Sequence, residues 1–408
     1  MTKPIGPICN LDCKYCFYLE KEALYTDGKW RMAPDLLETY IRQYIEAQPT
    51  REVSFAWQGG EPTLLGVDFF RKVVELQEKH ANGKQIENAF QTNGTLLDEN
   101  WGAFLKEHDF LVGISIDGPR ELHDHYRVDK KGRSSFDEVM RGVEVLQQHD
   151  VRFNTLTCLN RATARKPLKV YQFLKGIGSR YMQFIPIVER KPGSQARSWG
   201  LDLASPEDGQ DGEEDLPVMS WSVLPRDFGN FYIQVFDRWI QKDVGRVFVQ
   251  LFDTALGKWV GEPGGICVHA ETCGDALAVE HNGDLYSCDH FVYPQYKLGN
   301  IRETPLAAMV DDPRQRAFGK AKRDALPQYC LDCEVRFACN GGCPKDRFLT
   351  TPAGDPGLHY LCEGYRAFFN HIDPVMRVMA ELLRRQQAPA LAMEMVKRKA
   401  VPGYRPAK

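Results

Sequence analysis

The chain has 408 residues, a net charge of −3 at pH 7 and an ordinary 43% of hydrophobic residues, so it is long enough for two domains. The small charge argues against a general nucleic-acid binder. No membrane-spanning run or secretion signal is visible, which favours a reducing cytoplasm where disulfides are rare. Twelve cysteines therefore need another use, and metal or iron–sulfur ligation is the simplest.

Three cysteines near the N-terminus, Cys9, Cys13 and Cys16, are spaced C-x3-C-x2-C with an aromatic residue before the last. Three thiolates can hold three irons of a 4Fe-4S cluster and leave the fourth iron open. The amino and carboxylate groups of S-adenosylmethionine can bind such an iron, and the spacing resembles the radical SAM signature. A zinc site is the alternative, although zinc usually takes four closed ligands and no fourth cysteine or histidine lies nearby.

Strand-like and helical segments alternate after this loop. The hydrophobic spacing predicts, in chain order, helix Pro34–Ala47, strand Arg51–Trp57, helix Phe69–His80, strand Ile86–Gln91, helix Glu99–His108, strand Phe110–Ile116, helix Phe136–Gln148, strand Arg152–Leu156, helix Lys166–Lys175 and strand Arg180–Ile187. Repeated units of this kind predict a parallel sheet with helices outside, curved into a full or partial barrel. In such barrels the chemistry lies on loops at the C-terminal ends of the strands.

The remaining segments are simpler. The stretch Gly200–Asp215 is acidic and is expected to be a solvated insertion or flexible loop. A helix is predicted from Pro225 to about Gln241, and an amphipathic helix over His371–Gln387. The last fifteen or so residues are basic, contain prolines and are expected to fray.

Two polar motifs follow predicted strands. Gly59-Gly60-Glu61-Pro62 allows close approach of a ligand, and carbonyl groups there could accept bonds from an ammonium group. Ser115, Asp117 and Arg127 come at or beyond the end of the fourth strand, where serine suits a ribose hydroxyl and arginine a carboxylate. Taken singly, each of these residues is more often a surface or loop-stabilising residue.

Eight more cysteines lie in the second half. Their order is Cys267, Cys273 and Cys288, then the run C-x2-C-x5-C-x3-C formed by Cys330, Cys333, Cys339 and Cys343, and finally Cys362. Eight thiolates provide full ligation for two 4Fe-4S clusters, and two structural zinc sites are the alternative. The remaining Cys158 is expected to be a buried apolar residue. Asp289 directly follows Cys288, and from spacing alone it is a surface charge or a helix cap.

The whole pattern resembles the anaerobic sulfatase-maturating enzymes, which are radical SAM proteins with a SPASM extension. The resemblance rests on the cysteines and on five further stretches, 4–13, 55–63, 91–95, 115–119 and 183–186. It implies a partial (β/α)6 radical SAM barrel over 1–235, a SPASM domain with two auxiliary clusters over 236–365, and a C-terminal helix and tail over 366–408.

The resemblance also implies roles for individual residues. One auxiliary cluster would be held by Cys267, Cys273, Cys288 and Cys343, and the other by Cys330, Cys333, Cys339 and Cys362. S-adenosylmethionine would contact Tyr15, Gly60, Ser115, Arg127 and Val188. Tyr18 and Gln58 would lie near the substrate, and Asp289 would be the proton acceptor.

The implied reaction begins when a reduced cluster splits S-adenosylmethionine into methionine and a 5′-deoxyadenosyl radical. The radical removes a Cβ hydrogen from a Cys or Ser in an unfolded sulfatase segment of the type Cys/Ser-x-Pro-x-Arg. Asp289 takes the side-chain proton, an auxiliary cluster accepts the second electron, and Cα-formylglycine results. A flavodoxin- or ferredoxin-type reductant and a monomeric enzyme are expected.

Two other functions remain open. Another SPASM peptide-modifying enzyme, forming thioether or carbon–carbon crosslinks, would share every cluster motif. A non-catalytic iron–sulfur electron carrier would share the cysteines, but it would not need the Gly-Gly-Glu-Pro, Ser115 and Arg127 features.

Overall fold

A computed structural model describes residues 1–26, 28, 30–208, 217–263, 265–274 and 276–407. Its strands are β1 (Thr2–Lys3), β2 (Glu52–Trp57), β3 (Gln85–Thr92), β4 (Leu111–Ser115), β5 (Phe153–Leu159), β6 (Tyr181–Pro186), β7 (Phe248–Val249), β8 (Ala278–Glu280), β9 (Asp284–Tyr286), β10 (Lys297–Asn300), β11 (Leu349–Thr350) and β12 (Pro356–Leu358).

The helices alternate with these strands in the first half and dominate the end of the chain. They are α1 (Pro34–Ala47), α2 (Val67–His80), α3 (Glu99–Glu107), α4 (Arg120–His123), α5 (Phe136–Gln148), α6 (Pro167–Gly176), α7 (Ser194–Ser198), α8 (Pro225–Lys242), α9 (Gln250–Val260), α10 (Leu306–Val310), α11 (Pro313–Asp324), α12 (Gln328–Leu331), α13 (Arg336–Cys339), α14 (Cys362–Arg384) and α15 (Ala392–Lys397).

Strands β1 to β7 run parallel and in sequence order, which confirms the expected parallel, partial-barrel architecture. Local sequence explains the helices that separate them. Helix α1 begins at a proline and buries Leu37, Tyr40 and Ile41 at helical spacing, while Asp98 caps α3 by accepting a hydrogen bond from Trp101 N at 2.9 Å. The C-terminal ends of the strands consequently share one rim.

Strand β1 joins the two halves of the molecule and has no counterpart in the sequence prediction. Thr2 pairs in parallel with Trp57 of β2 on one side and with Val279 of β8 on the other. One ten-stranded sheet therefore runs from β7, through the parallel strands, into the antiparallel strands β9 and β10 of the cysteine-rich half. A two-residue strand is too short to give a periodic hydrophobic signal.

A single hydrophobic core also extends through both halves, from Ile5 to Val401. Helices α8 and α14 cross within it at two glycines. A Cβ atom on Gly229 would lie 2.9 Å from Gly364 Cα, so only glycine permits this approach. The domain limits expected at 235 and 365 fall within helices α8 and α14.

Two expectations about flexible segments are wrong for the residues that the structure describes. Within Gly200–Asp215, Ser205 and Asp208 are buried, and Asp208 accepts hydrogen bonds from Ser205 N and Gln195 N. Residues 209–215 lie outside the described part of the chain. The C-terminal tail is also ordered, because Val401 is buried and Tyr404 bonds to Asp237. Both errors arose because polar composition was taken as solvent exposure.

None of the helices in the described ranges is both long and apolar enough to cross a membrane.

Candidate active site

The loop that carries Cys9, Cys13 and Cys16 follows β1 at the rim of the parallel sheet. Backbone bonds fix it on two sides: Glu61 N donates to Ile8 O at 2.9 Å, and Asp12 N donates to Val128 O at 2.8 Å. The three cysteines are free thiols. Burial, together with the nearby Glu61 carboxylate, raises the pKa of Cys9 to about 12. A bound cation would therefore be needed to hold thiolates here, which fits an iron–sulfur site.

Gly60 is the point of closest approach between this loop and the end of β2. A Cβ atom at Gly60 would lie 1.9 Å from Ile8 O, so the position requires glycine. The Gly60 amide donates to Gly6 O at 2.7 Å. Its role in the structure is thus to seat the cysteine loop against the parallel sheet.

Glu61 is a site residue to which the sequence analysis gave no individual role. It is fully buried, and its carboxylate accepts bonds from Thr92 Oγ1 at 2.8 Å and Asn93 N at 2.7 Å. Asn93 Nδ2 lies 3.7 Å from Cys9 Sγ. Glu61 thus ties the end of β2 to the end of β3 and, through Asn93, to the cysteine loop. The stretch 91–95 contained the signal, since polar residues after a parallel strand face this rim.

A buried carboxylate, Asp117, brings together two of the predicted cofactor contacts. Tyr15 OH donates to Asp117 Oδ2 at 2.5 Å, and Arg127 Nε lies 3.2 Å from Asp117 Oδ1. The same oxygen accepts a bond from Cys158 N at 3.0 Å, and Arg127 Nη2 lies 3.7 Å from Cys158 Sγ. Cys158 is therefore next to the site, rather than in an apolar core as expected. Ser115 lies on the adjacent rim, where it accepts a bond from Gln91 Nε2 at 3.0 Å.

Asp289 forms an ion pair with Lys3, which sequence reasoning missed. The Lys3 side chain is only 1% exposed, and its ammonium group lies 3.3 Å from the centre of the Tyr18 ring. Burial alone would raise the pKa of Asp289, but Lys3 and His290 outweigh it and hold this pKa below its ordinary value. Asp289 is therefore a carboxylate, which is the form that can accept a proton.

The two predicted substrate contacts, Tyr18 and Gln58, lie close to Lys3. Tyr18 OH donates to the buried Glu280 at 2.7 Å, and Gln58 N donates to Thr2 O at 2.9 Å. The structure thus brings Asp289, Tyr18 and the backbone of Gln58 to the junction that β1 forms between the halves.

A cavity opens beside this junction. It is lined by Phe17 of the cysteine loop, by Val188 and Glu189 after β6, and by His290 and Lys345 of the cysteine-rich half. Lys345 Nζ donates to Val188 O at 2.7 Å and to Glu189 Oε1 at 3.0 Å, which joins the two walls. Residues of both halves therefore form the walls of this small cavity.

The eight cysteines of the second half form two groups. Cys330, Cys333, Cys339 and Cys362 line one small cavity. The thiol of Cys288 interacts electrostatically with Cys267 and Cys273, and that of Cys343 with Cys288. Among the described residues, no three His, Cys, Asp or Glu side chains form a compact single-ion site. Four thiols around a cavity suit a 4Fe-4S cube, in which each thiolate binds a different iron.

Comparison with family models finds two matches. Residues 4–174 match the Radical SAM superfamily, and residues 267–334 match an iron–sulfur cluster-binding domain, SPASM. The first range contains the N-terminal cysteines and most of the parallel strands. The second contains five of the eight cysteines in the cysteine-rich half.

Curated relatives and solved structures match over nearly the full length. A serine-type anaerobic sulfatase-maturating enzyme of Bacteroides thetaiotaomicron is 47% identical, over 97% of this chain and 94% of the relative. A cysteine-type anaerobic sulfatase-maturating enzyme of Clostridium perfringens is 32% identical, over 92% and 96%. The solved structure of native anSMEcpe with bound AdoMet and the Kp18Cys peptide has a TM-score of 0.79 at 31% identity, and covers 93% of this chain and 98% of that one.

Proposed function

The chain belongs to the anaerobic sulfatase-maturating enzymes of the radical SAM superfamily, and from this premise we propose that it oxidises a serine or cysteine of an unfolded sulfatase segment to Cα-formylglycine. The observation that carries the proposal is that Phe17 of the N-terminal cysteine loop and His290 line one small cavity. Phe17 follows the last cysteine of that loop and His290 follows Asp289, so the two sites adjoin.

Three 4Fe-4S clusters and S-adenosylmethionine are the cofactors of this proposal. The clusters would be held by Cys9, Cys13 and Cys16, by Cys267, Cys273, Cys288 and Cys343, and by Cys330, Cys333, Cys339 and Cys362. When bound, these groups supply abstraction of a hydrogen atom from the substrate Cβ and acceptance of the second electron. The free thiols and the cysteine-lined cavity support the assignment.

The chain's own residues would hold the cofactor and exclude water. We assign S-adenosylmethionine contacts to Tyr15, Gly60, Ser115, Arg127 and Val188. Asp117 supports this role, because it fixes both Tyr15 and Arg127 and leaves neither free to turn away. Arg127 is buried, and its planar guanidinium group suits a ligand carboxylate.

Asp289 would remove the proton from the substrate thiol or hydroxyl group. Its low pKa supports this role, because the side chain is already ionised when a peptide binds. Lys3 keeps the carboxylate oriented, and Tyr18 and Gln58 border the peptide. The acid formed on Asp289 would return its proton to solvent, since the Asp289 side chain keeps 16% exposure.

The remaining assignments concern the molecule as a whole. We expect a monomer that works in the cytoplasm and takes electrons from a flavodoxin- or ferredoxin-type protein. The barrel, SPASM and C-terminal units would divide near 235 and 365 in function, although the helices there are continuous.

Anaerobic incubation with S-adenosylmethionine, dithionite and paired peptides tests the proposal. Formylglycine formation removes about 2 Da from a serine peptide and about 18 Da from a cysteine peptide by atom bookkeeping. We expect the serine peptide to be converted, because the serine-type relative is 47% identical and the cysteine-type one 32%. A crosslinked product of either peptide would instead favour another SPASM activity, and no cleavage of S-adenosylmethionine would favour an electron carrier.

Asp289→Asn tests the proton acceptor. This variant should still cleave S-adenosylmethionine but lose most formylglycine, by about 100-fold or more, because the amide cannot take the proton. Asp243→Asn is the matched control: Asp243 is also buried and also pairs with a lysine, Lys175, but it lies where α8 meets α6. Wild-type product yield from Asp289→Asn would contradict the role.

A further inference from the structure

A short turn connects the two groups of cysteines in the second half. Residues 340–342 lie between Cys339 and Cys343, which the proposed function assigns to different clusters. Arg347 holds this turn from inside: its Nε donates to Gly341 O at 2.8 Å, and its Nη2 donates to Asn340 O at 3.0 Å and Gly342 O at 3.3 Å. Its guanidinium group therefore lies between the two cluster sites.

A second cation, the buried Lys322, lies next to the half-buried Arg347. Arg347 Nη1 donates to Lys322 O at 2.6 Å. The Lys322 side chain is 1% exposed, and its ammonium group donates to Cys267 O at 2.5 Å and Val268 O at 2.9 Å. Lys322 thus contacts the backbone of Cys267, the first cysteine of the group that also contains Cys273, Cys288 and Cys343.

Neither cation has an acidic partner in the described ranges: the ion pairs found there include none with Lys322 or Arg347. Arg347 interacts electrostatically with Cys330 and Cys339 of one group and with Cys343 and Cys273 of the other. Lys322 interacts with Cys273, Cys343 and Cys267, which all belong to one group. A charge removed from water without a counter-ion is costly, so the buried Lys322 and the half-buried Arg347 would both be stabilised by an anion at the cysteine sites.

Building on the proposed function, we propose that Arg347 and Lys322 are positioning cations that raise the reduction potentials of the auxiliary clusters. Arg347 acts on both clusters, and Lys322 acts on the one bound by Cys267, Cys273, Cys288 and Cys343. Reduction adds one negative charge to a cluster, and a nearby buried positive charge stabilises that added charge. Both cations therefore favour acceptance of the electron that leaves the substrate.

Redox titration of the anaerobic holoenzyme, followed by electron paramagnetic resonance, tests this. In Lys322→Met one auxiliary potential should fall, so that the ratio of reduced to oxidised cluster drops at least tenfold at a fixed potential, or about 59 mV for one electron. In Arg347→Gln both auxiliary potentials should fall. Arg347→Lys keeps the positive charge but loses hydrogen bonds to the turn. Both auxiliary potentials should therefore stay close to their wild-type values in this variant.

Lys84→Met is the matched control. The Lys84 ammonium group also donates to two carbonyl groups, Ile45 O at 2.7 Å and Gln48 O at 2.5 Å, but it lies in the barrel half. This control should leave all cluster potentials unchanged.

Unchanged auxiliary potentials in Lys322→Met with full iron content would overturn the inference, as would equal shifts in Arg347→Gln and Arg347→Lys. Peptide conversion by the wild-type enzyme reports on the proposed function separately. If the wild-type enzyme converts the peptide and the variants show unshifted cluster potentials, only the role of the two cations is contradicted. If the wild-type protein binds no iron at the eight cysteines, the proposed function and the role of the two cations are both contradicted.

Discussion

At the scale of single residues, the tightest packing in the site is between Gly60 and the backbone of Ile8. The two neighbouring amides of Gly60 and Glu61 bond to carbonyls of the cysteine loop, so any side chain at Gly60 moves the loop rather than a flexible neighbour. The Gly-Gly pair was identified from the sequence as a place of close approach. In the structure the backbone around Ile8 makes this close approach, beside the ligand contact predicted at Gly60.

Gly60→Ala should lose the N-terminal cluster, because its Cβ would lie 1.9 Å from Ile8 O and 2.4 Å from Ile8 C. The proposal gives this site four of twelve irons, so we expect about a third of the iron to be lost, together with cleavage of S-adenosylmethionine. Iron per chain and cleavage rate are the measurements.

Gly176→Ala is the control, because Gly176 ends helix α6 and no atom lies within 4 Å of its added Cβ. This variant should keep its iron. Full iron and normal cleavage in Gly60→Ala would show that the loop adapts.

Lys21 is a buried charge whose effect depends on pH. Its side chain is 1% exposed, and burial lowers the pKa of Lys21 to about 8, partly offset by Glu20. The unfolded chain keeps this proton up to the ordinary value of 10.5. Between these values the unfolded state binds more protons, so the contribution of Lys21 to the free energy of unfolding rises with pH, by up to about 3 kcal/mol.

Lys21→Met should remove that rise. Denaturant midpoints should be measured at about pH 7.5 and about pH 10. Relative to the wild type, the midpoint of the variant should be lower at about pH 10 than the comparison at about pH 7.5 would indicate, because the variant lacks the stabilisation that Lys21 adds as the pH rises. An identical pH dependence in the two proteins would mean that Lys21 is ionised alike in both states.

At the scale of elements, periodic segments were predicted well. Helices Pro34–Ala47 and Phe136–Gln148 have the expected bounds, because amphipathic spacing continues to both ends. Helix α14 begins nine residues earlier than predicted, at Cys362, since Cys362 and Gly364 are poor helix formers. Strand β1 and the C-terminal segment were missed because their structure depends on distant partners.

The C-terminal segment offers a direct test of such a partner. Asp237 is buried and accepts bonds from Tyr404 OH at 2.6 Å and Ala407 N at 2.7 Å. Tyr404→Phe should lower the free energy of unfolding by about 1–3 kcal/mol, since it removes a bond to a charged group.

Thermal unfolding midpoints of the holoenzyme provide the measurement. Tyr181→Phe is the control, because the Tyr181 side chain is 53% exposed and a surface hydroxyl should contribute less than about 0.5 kcal/mol. Equal midpoints for Tyr404→Phe and wild type would mean that the tail does not contribute to stability.

At the scale of the whole molecule, the motifs predicted the family and the hydrophobic spacing predicted the barrel, but neither predicted how closely the halves are joined. Thiol spacing is a local signal and survives in the sequence. The Lys3–Asp289 pair, the Lys345–Val188 bond and the α8–α14 crossing join residues that are more than 130 positions apart, and nothing in one sequence links them.

The shared strand has a consequence for recombining relatives. Residues 1–3 bond to strand β8 in the described sheet, and Lys3 forms an ion pair with a residue 286 positions later. A chimera that takes its cysteine-rich half from a homologue must therefore also take the first three residues from that homologue. A chimera joined only between the barrel and the cysteine-rich half would pair the transplanted β8 with a β1 from a different protein.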